Sequence, residues 1–126
     1  MNPKKILLIE DDPFLSSLLK NRFSQAHVEV LHAHDGEEAL AMLKTNTPDL
    51  VLLDLILPKK SGFEVMQAIR QDPQFPNVPI IITSNLGQSE DMEKTKELGA
   101  TEYFVKAKTS IEDLVSNITS ILDAQK

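Results

Sequence analysis

The chain has 126 residues, of which 41% are hydrophobic and 25% charged, with a formal net charge of -6 and no cysteine. That length suits one ordinary domain with a single sizeable core and is too short for two, so residues 1–126 are expected to form one domain; no segment is long and apolar enough to cross a bilayer. The lack of cysteine excludes disulfides, thiolate metal sites and cysteine nucleophiles, and the acidic balance argues against non-specific nucleic-acid binding, which needs a positive patch.

The N-terminus, Met1-Asn2-Pro3-Lys4-Lys5, runs straight into a strand-like segment and carries no signal-peptide pattern, so a cytoplasmic location is the expectation. Apolar runs of strand length then alternate with segments of helical period, the pattern of repeated βαβ units around a parallel sheet. The first strand spans Lys5 to Ile9. A helix follows from near Pro13, with Phe14, Leu15, Leu18, Leu19 and Phe23 as its apolar side, and proline suits a first helical turn. The second strand, Glu29 to Ala33, leads through Asp35-Gly36 into a helix that buries Ala39, Leu40, Met42 and Leu43, with Pro48 as its stop.

The third strand, Leu50 to Leu53, is apolar throughout, as expected of a central strand covered on both faces. Phe63, Met66 and Ile69 mark the third helix, and the proline-rich connection from Asp72 to Pro76 precedes the fourth strand, Ile80 to Thr83. The helix from Gln88 to Leu98 is mostly charged, with only Met92 and Leu98 as strong apolar anchors and Glu90 and Lys94 spaced for a modest ion pair. It is expected to be loosely held. The fifth strand is Tyr103 to Val105, and the last helix carries one apolar stripe, Ile111, Leu114, Val115, Ile118, Ile121 and Leu122, capped by Thr109 or Ser110; exposed members of the stripe offer a dimer face.

Two strands end in acids: Glu10-Asp11-Asp12 follow the first and Asp54 the third. In an open parallel sheet ligands bind beyond the carboxyl ends of the strands, so these carboxylates are expected to converge there. Converging carboxylates resist joint ionisation without a cation, and an oxygen-only donor set favours Mg²⁺ or Mn²⁺ over zinc. Ser84 and Lys106 follow the fourth and fifth strands at the same edge. Such a set fits phosphoryl transfer: Asp54 as nucleophile, a metal held by Asp11 and Asp54 with help from Glu10 or Asp12, Lys106 as a second positive charge and Ser84 as hydroxyl donor. Acid clusters such as Glu37-Glu38 or Glu90-Asp91 read as ordinary solvated faces, whereas an acid ending four apolar strand residues does not. His32 and His34 alternate on the second strand and read as partly solvated edge residues rather than as a metal pair.

In these motifs the chain resembles the receiver domains of two-component response regulators. The resemblance rests on Ile9-Glu10-Asp11-Asp12, Leu53-Asp54-Leu55-Ile56-Leu57-Pro58 with Ser61-Gly62, Ile82-Thr83-Ser84 and Tyr103-Phe104-Val105-Lys106, and covers essentially the whole chain. It implies a flavodoxin-like (CheY-like) α/β three-layer sandwich with five parallel strands in the order 2-1-3-4-5 and five helices. It further implies that Asp54 accepts a phosphoryl group from a sensor histidine kinase or a histidine phosphotransfer protein. Mg²⁺, or Mn²⁺, would be held by Asp11, Asp12, Asp54 and the Ile56 backbone carbonyl, with Glu10 reached through water. Ser84 and Tyr103 would act as the switch, and a downstream protein would read the surface of the fourth helix, fifth strand and fifth helix.

Such a protein is not a turnover enzyme, inserts into no membrane, and works as a monomer or a phosphorylation-dependent homodimer. Three positions depart from the family pattern. Ala107 stands where proline with a cis peptide is usual, and because a non-proline cis bond costs about 2.5–4 kcal/mol a trans peptide is expected. Asn85 replaces a small residue and narrows access to Asp54. Ile56 and Leu86 are apolar where neighbouring side chains influence water attack, which implies slow loss of the phosphoryl group. The competing readings are a degenerate receiver serving as a phosphorylation-independent adaptor, a flavodoxin-like cofactor protein, disfavoured by acids where a phosphate loop would lie, and an aspartyl-phosphate hydrolase, disfavoured by the apolar Leu55-Ile56-Leu57 beside Asp54.

Overall fold

A strand buried on both faces needs apolar side chains at every position, and the third strand meets that condition from Leu50 to Leu53 with no residual exposure. The computed structural model describes residues 3–75, 77–85 and 89–125. The elements run β1 (Lys5–Ile9), α1 (Pro13–Gln25), β2 (Glu29–Ala33), α2 (Gly36–Met42), β3 (Leu50–Asp54), α3 (Gly62–Gln71), β4 (Ile80–Ser84), α4 (Ser89–Glu97), β5 (Glu102–Val105) and α5 (Ile111–Ala124), with a short 3-10 turn over Lys106–Lys108. All five strands are parallel in the order β2-β1-β3-β4-β5, as expected for the flavodoxin-like arrangement.

Side-chain alternation divides the core in two. Ile6 and Leu8 of β1 join Leu50, Leu52 and Ile81 under α1 and α5, which contribute Leu19, Phe23, Leu114, Ile118 and Leu122. Leu7 and Ile9 point the other way, with Val51, Leu53, Ile80 and Ile82, against Ala39 and Leu43 near α2 and Val65, Met66 and Ile69 of α3. The α5 stripe is the expected one; its members Ile111, Val115 and Ile121 are half-buried against the core.

Several details depart from the sequence expectations. The buried stripe of α1 is Ser16, Leu19 and Phe23, whereas Phe14 is 79% exposed. At 3.6 residues per turn Phe14 lies about 200° around the helix from Ser16, so the two cannot share a face. Ser16 tolerates burial because its hydroxyl donates to the Pro13 carbonyl at 3.2 Å. The second helix stops at Met42 rather than at Pro48: the Asn46 side-chain amide caps the Met42 carbonyl at 2.9 Å, and the last turn tightens through Lys44 N to Ala41 O. In α4, Lys94 lies 4.3 Å over the Phe63 ring, and among the described residues no Glu90–Lys94 ion pair forms; Gln88 lies outside the described residues. Among the described residues no peptide is cis, so Lys106–Ala107 is trans. β3 and β4 each run one residue further than expected, because Asp54 pairs with Thr83 and Ser84 with Val105 in the ladder.

Gly62 sets the distance between α3 and the end of β3. A Cβ there would lie 2.6 Å from Leu55 Cα and 2.7 Å from the Asp54 carbonyl oxygen, both backbone atoms. Its amide donates to the Leu55 carbonyl at 2.9 Å. Gly62→Ala is therefore expected to push α3 off the loop and destabilise the fold by about 1–3 kcal/mol, read as a lower urea midpoint; an unchanged midpoint would mean that the loop yields freely.

Candidate functional site

The edge beyond the strand carboxyl ends gathers side chains from four strands. Asp54 ends β3 and Ser84 ends β4, and both are buried, as are Glu10, just past β1, and Thr83. Lys106 follows β5 and spans the gap: its Nζ donates to Glu10 Oε1 and to Asp54 Oδ2, each at 2.9 Å. The other oxygen of Asp54 accepts the Ile56 amide at 3.1 Å, so both oxygens of this carboxylate are held. Glu10 Oε2 accepts the Asp12 amide at 3.2 Å.

Asp11 is exposed and completes a trio with Glu10 and Asp54 in which one oxygen of each lies within 4.8 Å of the others. A divalent ion with bonds of about 2.0–2.6 Å on either side spans that distance, and a donor set of oxygen only suits a hard cation. Three carboxylates against one ammonium also leave an excess of negative charge. The residues present therefore fit a divalent metal.

Asp12 Oδ1 accepts the Phe14 and Leu15 amides at 3.0 and 3.3 Å, which makes it the N-cap of α1, and its carboxylate is not in the trio. Ile56 presents its amide to Asp54, and the residue is 59% exposed. Asn85 is exposed, and Leu86 lies outside the described residues. Tyr103 packs half-buried against the core on the α2/α3 face of the sheet, and its phenol shares a hydrogen bond with Ser84. Burial pushes the Tyr103 phenol up, and the Ser84 bond offsets part of that.

A tie between β2 and this edge has no signal in the sequence. Glu10 N donates to the Ala33 carbonyl at 3.1 Å, and His32 Nε2 bonds the Glu10 carbonyl at 2.9 Å. Finding it requires the register Leu8↔His32, which the sequence alone does not state.

Burial raises the Glu10 carboxyl above its ordinary value, the hydrogen bond and charge of Lys106 pull it back, and the Asp54 charge adds to the rise. For Lys106 burial opposes the charge, but the bonds to Asp54 and Glu10 and their two charges outweigh it, and the ammonium is held above its usual range. With Glu10 raised, the folded protein holds its proton more tightly than the unfolded chain does. The stability this gives is complete below the ordinary value of 4.5 and is lost as pH rises through the folded value. In a chelator, Glu10→Gln is expected to lose less stability than wild type as pH rises above 4.5 in urea titrations; parallel curves would show Glu10 to be unshifted.

Residues 6–119 match the family described as response regulator receiver domain. The transcriptional regulatory protein CpxR of Klebsiella pneumoniae is 42% identical over 118 residues, which are 94% of this chain and 49% of CpxR. The chain thus spans about half the length of the curated relatives it matches. Among solved structures, the receiver domain of the Francisella response regulator 1452 superposes with a TM-score of 0.88 at 28% identity, over 98% of this chain and 99% of that one. The Mn²⁺-bound form of the response regulator Rcp1 gives 0.81 at 30% identity, over 97% and 94%. Strand order, acidic edge and bridging lysine agree with that match, and the chain belongs to the receiver-domain family of two-component response regulators.

Proposed function

We propose that the domain is a phosphoacceptor in which Asp54 takes a phosphoryl group from a phosphohistidine on a sensor kinase or phosphotransfer protein. The observation that carries this reading is the Lys106 ammonium held 2.9 Å from both Glu10 and Asp54 beside the Glu10–Asp11–Asp54 trio. An Asp54 oxygen attacks phosphorus, the P–N bond to the donor imidazole breaks, and an acyl phosphate forms. The Ile56 amide and Lys106 fix the carboxylate beforehand, so little orientational freedom remains to be lost. Lys106 and the Ser84 hydroxyl stabilise charge on the phosphoryl oxygens. A bound Mg²⁺, or the Mn²⁺ found in Rcp1, would supply further charge neutralisation, with Asp11, Asp54 and Glu10 as the residues that hold it, joined by the Ile56 carbonyl and, beyond its capping role, Asp12.

Output follows from the Ser84–Tyr103 contact. Phosphoryl oxygens on Asp54 draw the Ser84 hydroxyl, Tyr103 follows, and the surface of α4, β5 and α5 changes for a protein partner. Thr95 is the one fully buried residue of α4, which leaves that helix free to respond. The domain acts as a switch rather than a turnover enzyme. Its formal charge of -6 disfavours DNA contact by this unit, and no helix among the described residues is long and apolar enough to cross a membrane. A cytoplasmic setting, where the kinase's phosphohistidine is presented, accords with this role.

Intact mass after incubation with acetyl phosphate and Mg²⁺ is expected to show one added phosphoryl group, absent in Asp54→Asn and formed roughly 10²–10³-fold more slowly in Lys106→Met. No gain in the wild type with metal bound would leave a phosphorylation-independent adaptor. With the apolar Ile56 beside Asp54, the adduct is expected to outlast seconds; rapid loss without a phosphatase would contradict that role for Ile56.

Tyr103 is the sole tyrosine and the chain has no tryptophan, so it reports on itself. Phosphorylation is expected to change its emission in the wild type and to leave it unchanged in Ser84→Ala, although Asp54 is still modified. An equal change in both proteins would uncouple Tyr103 from Ser84.

A further inference from the structure

We propose that His32 and His34 form a second cation site, lined by nitrogen, that takes a borderline divalent ion of the Zn²⁺ type on the face of the molecule beside β2. The two rings lie with centroids 4.3 Å apart at an interplanar angle of 42°. Each ring already has one nitrogen committed. His32 Nε2 lies 2.9 Å from the Glu10 carbonyl, which can only accept, so the proton is on Nε2 and the lone pair is on Nδ1. His34 Nδ1 lies 3.0 Å from Glu38 Oε1, which also accepts the His34 amide at 3.0 Å. Bonds from the His34 ring and backbone hold the Glu38 carboxyl below its usual range, as an ionised acceptor. In the neutral His34 ring, the form that binds a metal, the proton is therefore on Nδ1 and the lone pair on Nε2.

Two neutral imidazoles, each donating its other N–H to a carbonyl or carboxylate, reproduce the outer-shell arrangement that orients and strengthens histidine ligands. Imidazole nitrogen selects Zn²⁺, Cu²⁺ or Ni²⁺ over Mg²⁺, so this pair and the oxygen trio at Asp54 prefer different ions. His34 is 65% exposed at its side chain, which leaves water free to complete the coordination. The site lies one hydrogen bond from the acidic edge, through the Glu10 carbonyl.

The test is a Zn²⁺ titration of the full chain in excess Mg²⁺, followed by histidine ring NMR and calorimetry. The expected result is one Zn²⁺ that moves the ring resonances of His32 and His34 while those of His27 stay fixed. Its affinity should fall at least about tenfold in His34→Gln and in His32→Gln and stay unchanged in Asp11→Asn. Glu38→Gln, which keeps both rings, is expected to weaken binding by a smaller factor. Loss of Zn²⁺ binding in Asp11→Asn with retention in His34→Gln would assign the ion to the acidic trio and overturn the proposal. The absence of any ring shift at millimolar Zn²⁺ would overturn it equally.

Discussion

The site depends on one ammonium shared between two acids that the sheet brings together from different strands. Lys106 reaches Glu10 and Asp54 at equal distances of 2.9 Å, and the side chains of both acids are nearly closed to solvent. Such a contact is weak evidence for stability, because desolvating the charges offsets most of their attraction, while removing one partner leaves an uncompensated buried charge. Its value lies in function. The lysine holds an electronegative pocket in shape, and the surplus of carboxylates keeps that pocket receptive to a cation.

Parallel topology makes the convergence possible. Every strand points its carboxyl end the same way, so residues that follow β1, β3, β4 and β5 share one edge. Packing around that edge is set by close backbone approach. Gly62 lets α3 start against the Asp54–Leu55 peptide, and Gly36 lets α2 start against Lys60, where a Cβ would lie 2.7 Å from the Lys60 Cβ. Lys59 takes a left-handed conformation, φ 69°, and its ammonium lies 3.6 Å from the α2 cap Asp35. The loop that carries Ile56 is thus clamped between the starts of two helices, which is how the Ile56 amide comes to face Asp54.

Strands are the most legible part of the chain, since apolar runs of three or four residues such as Ile6–Ile9 and Leu50–Leu53, bounded by polar residues, admit little else in a small α/β domain. The edge residues were legible for the same reason: an acid, a serine or a lysine directly after such a run must lie near its carboxyl end. What the sequence did not carry was the partner of each group. That Lys106 bridges Glu10 as well as Asp54, and that His32 holds the Glu10 carbonyl, depends on strand register and loop shape. Asp12 carries two signals at once: an aspartate just before Pro13 is a strong N-cap signal, and its place among acids at the end of β1 also points to metal binding. The exposure of Phe14 is not legible because a polar residue, Ser16, occupies the buried stripe that apolar periodicity assigns to leucine and phenylalanine.

α4 and α5 differ in how firmly they are held to the sheet. α5 buries Leu114, Ile118 and Leu122 against β1, β3 and β4 residues and lies across from α1, so moving it would expose a continuous apolar stripe. Among the described residues α4 buries only Thr95, whose hydroxyl donates to the Met92 carbonyl within the helix at 2.9 Å, and its further anchors are the Lys94–Phe63 contact and, just past its end, half-buried Leu98. Its C-terminal end is better held: Gly99, φ +94°, closes the helix, and Arg70 donates to the Gly99 and Val78 carbonyls at 2.7 Å. Among the described residues the contacts that hold α4 gather toward its C-terminal end. The helix that follows β4 is thus held by far less apolar burial than α5.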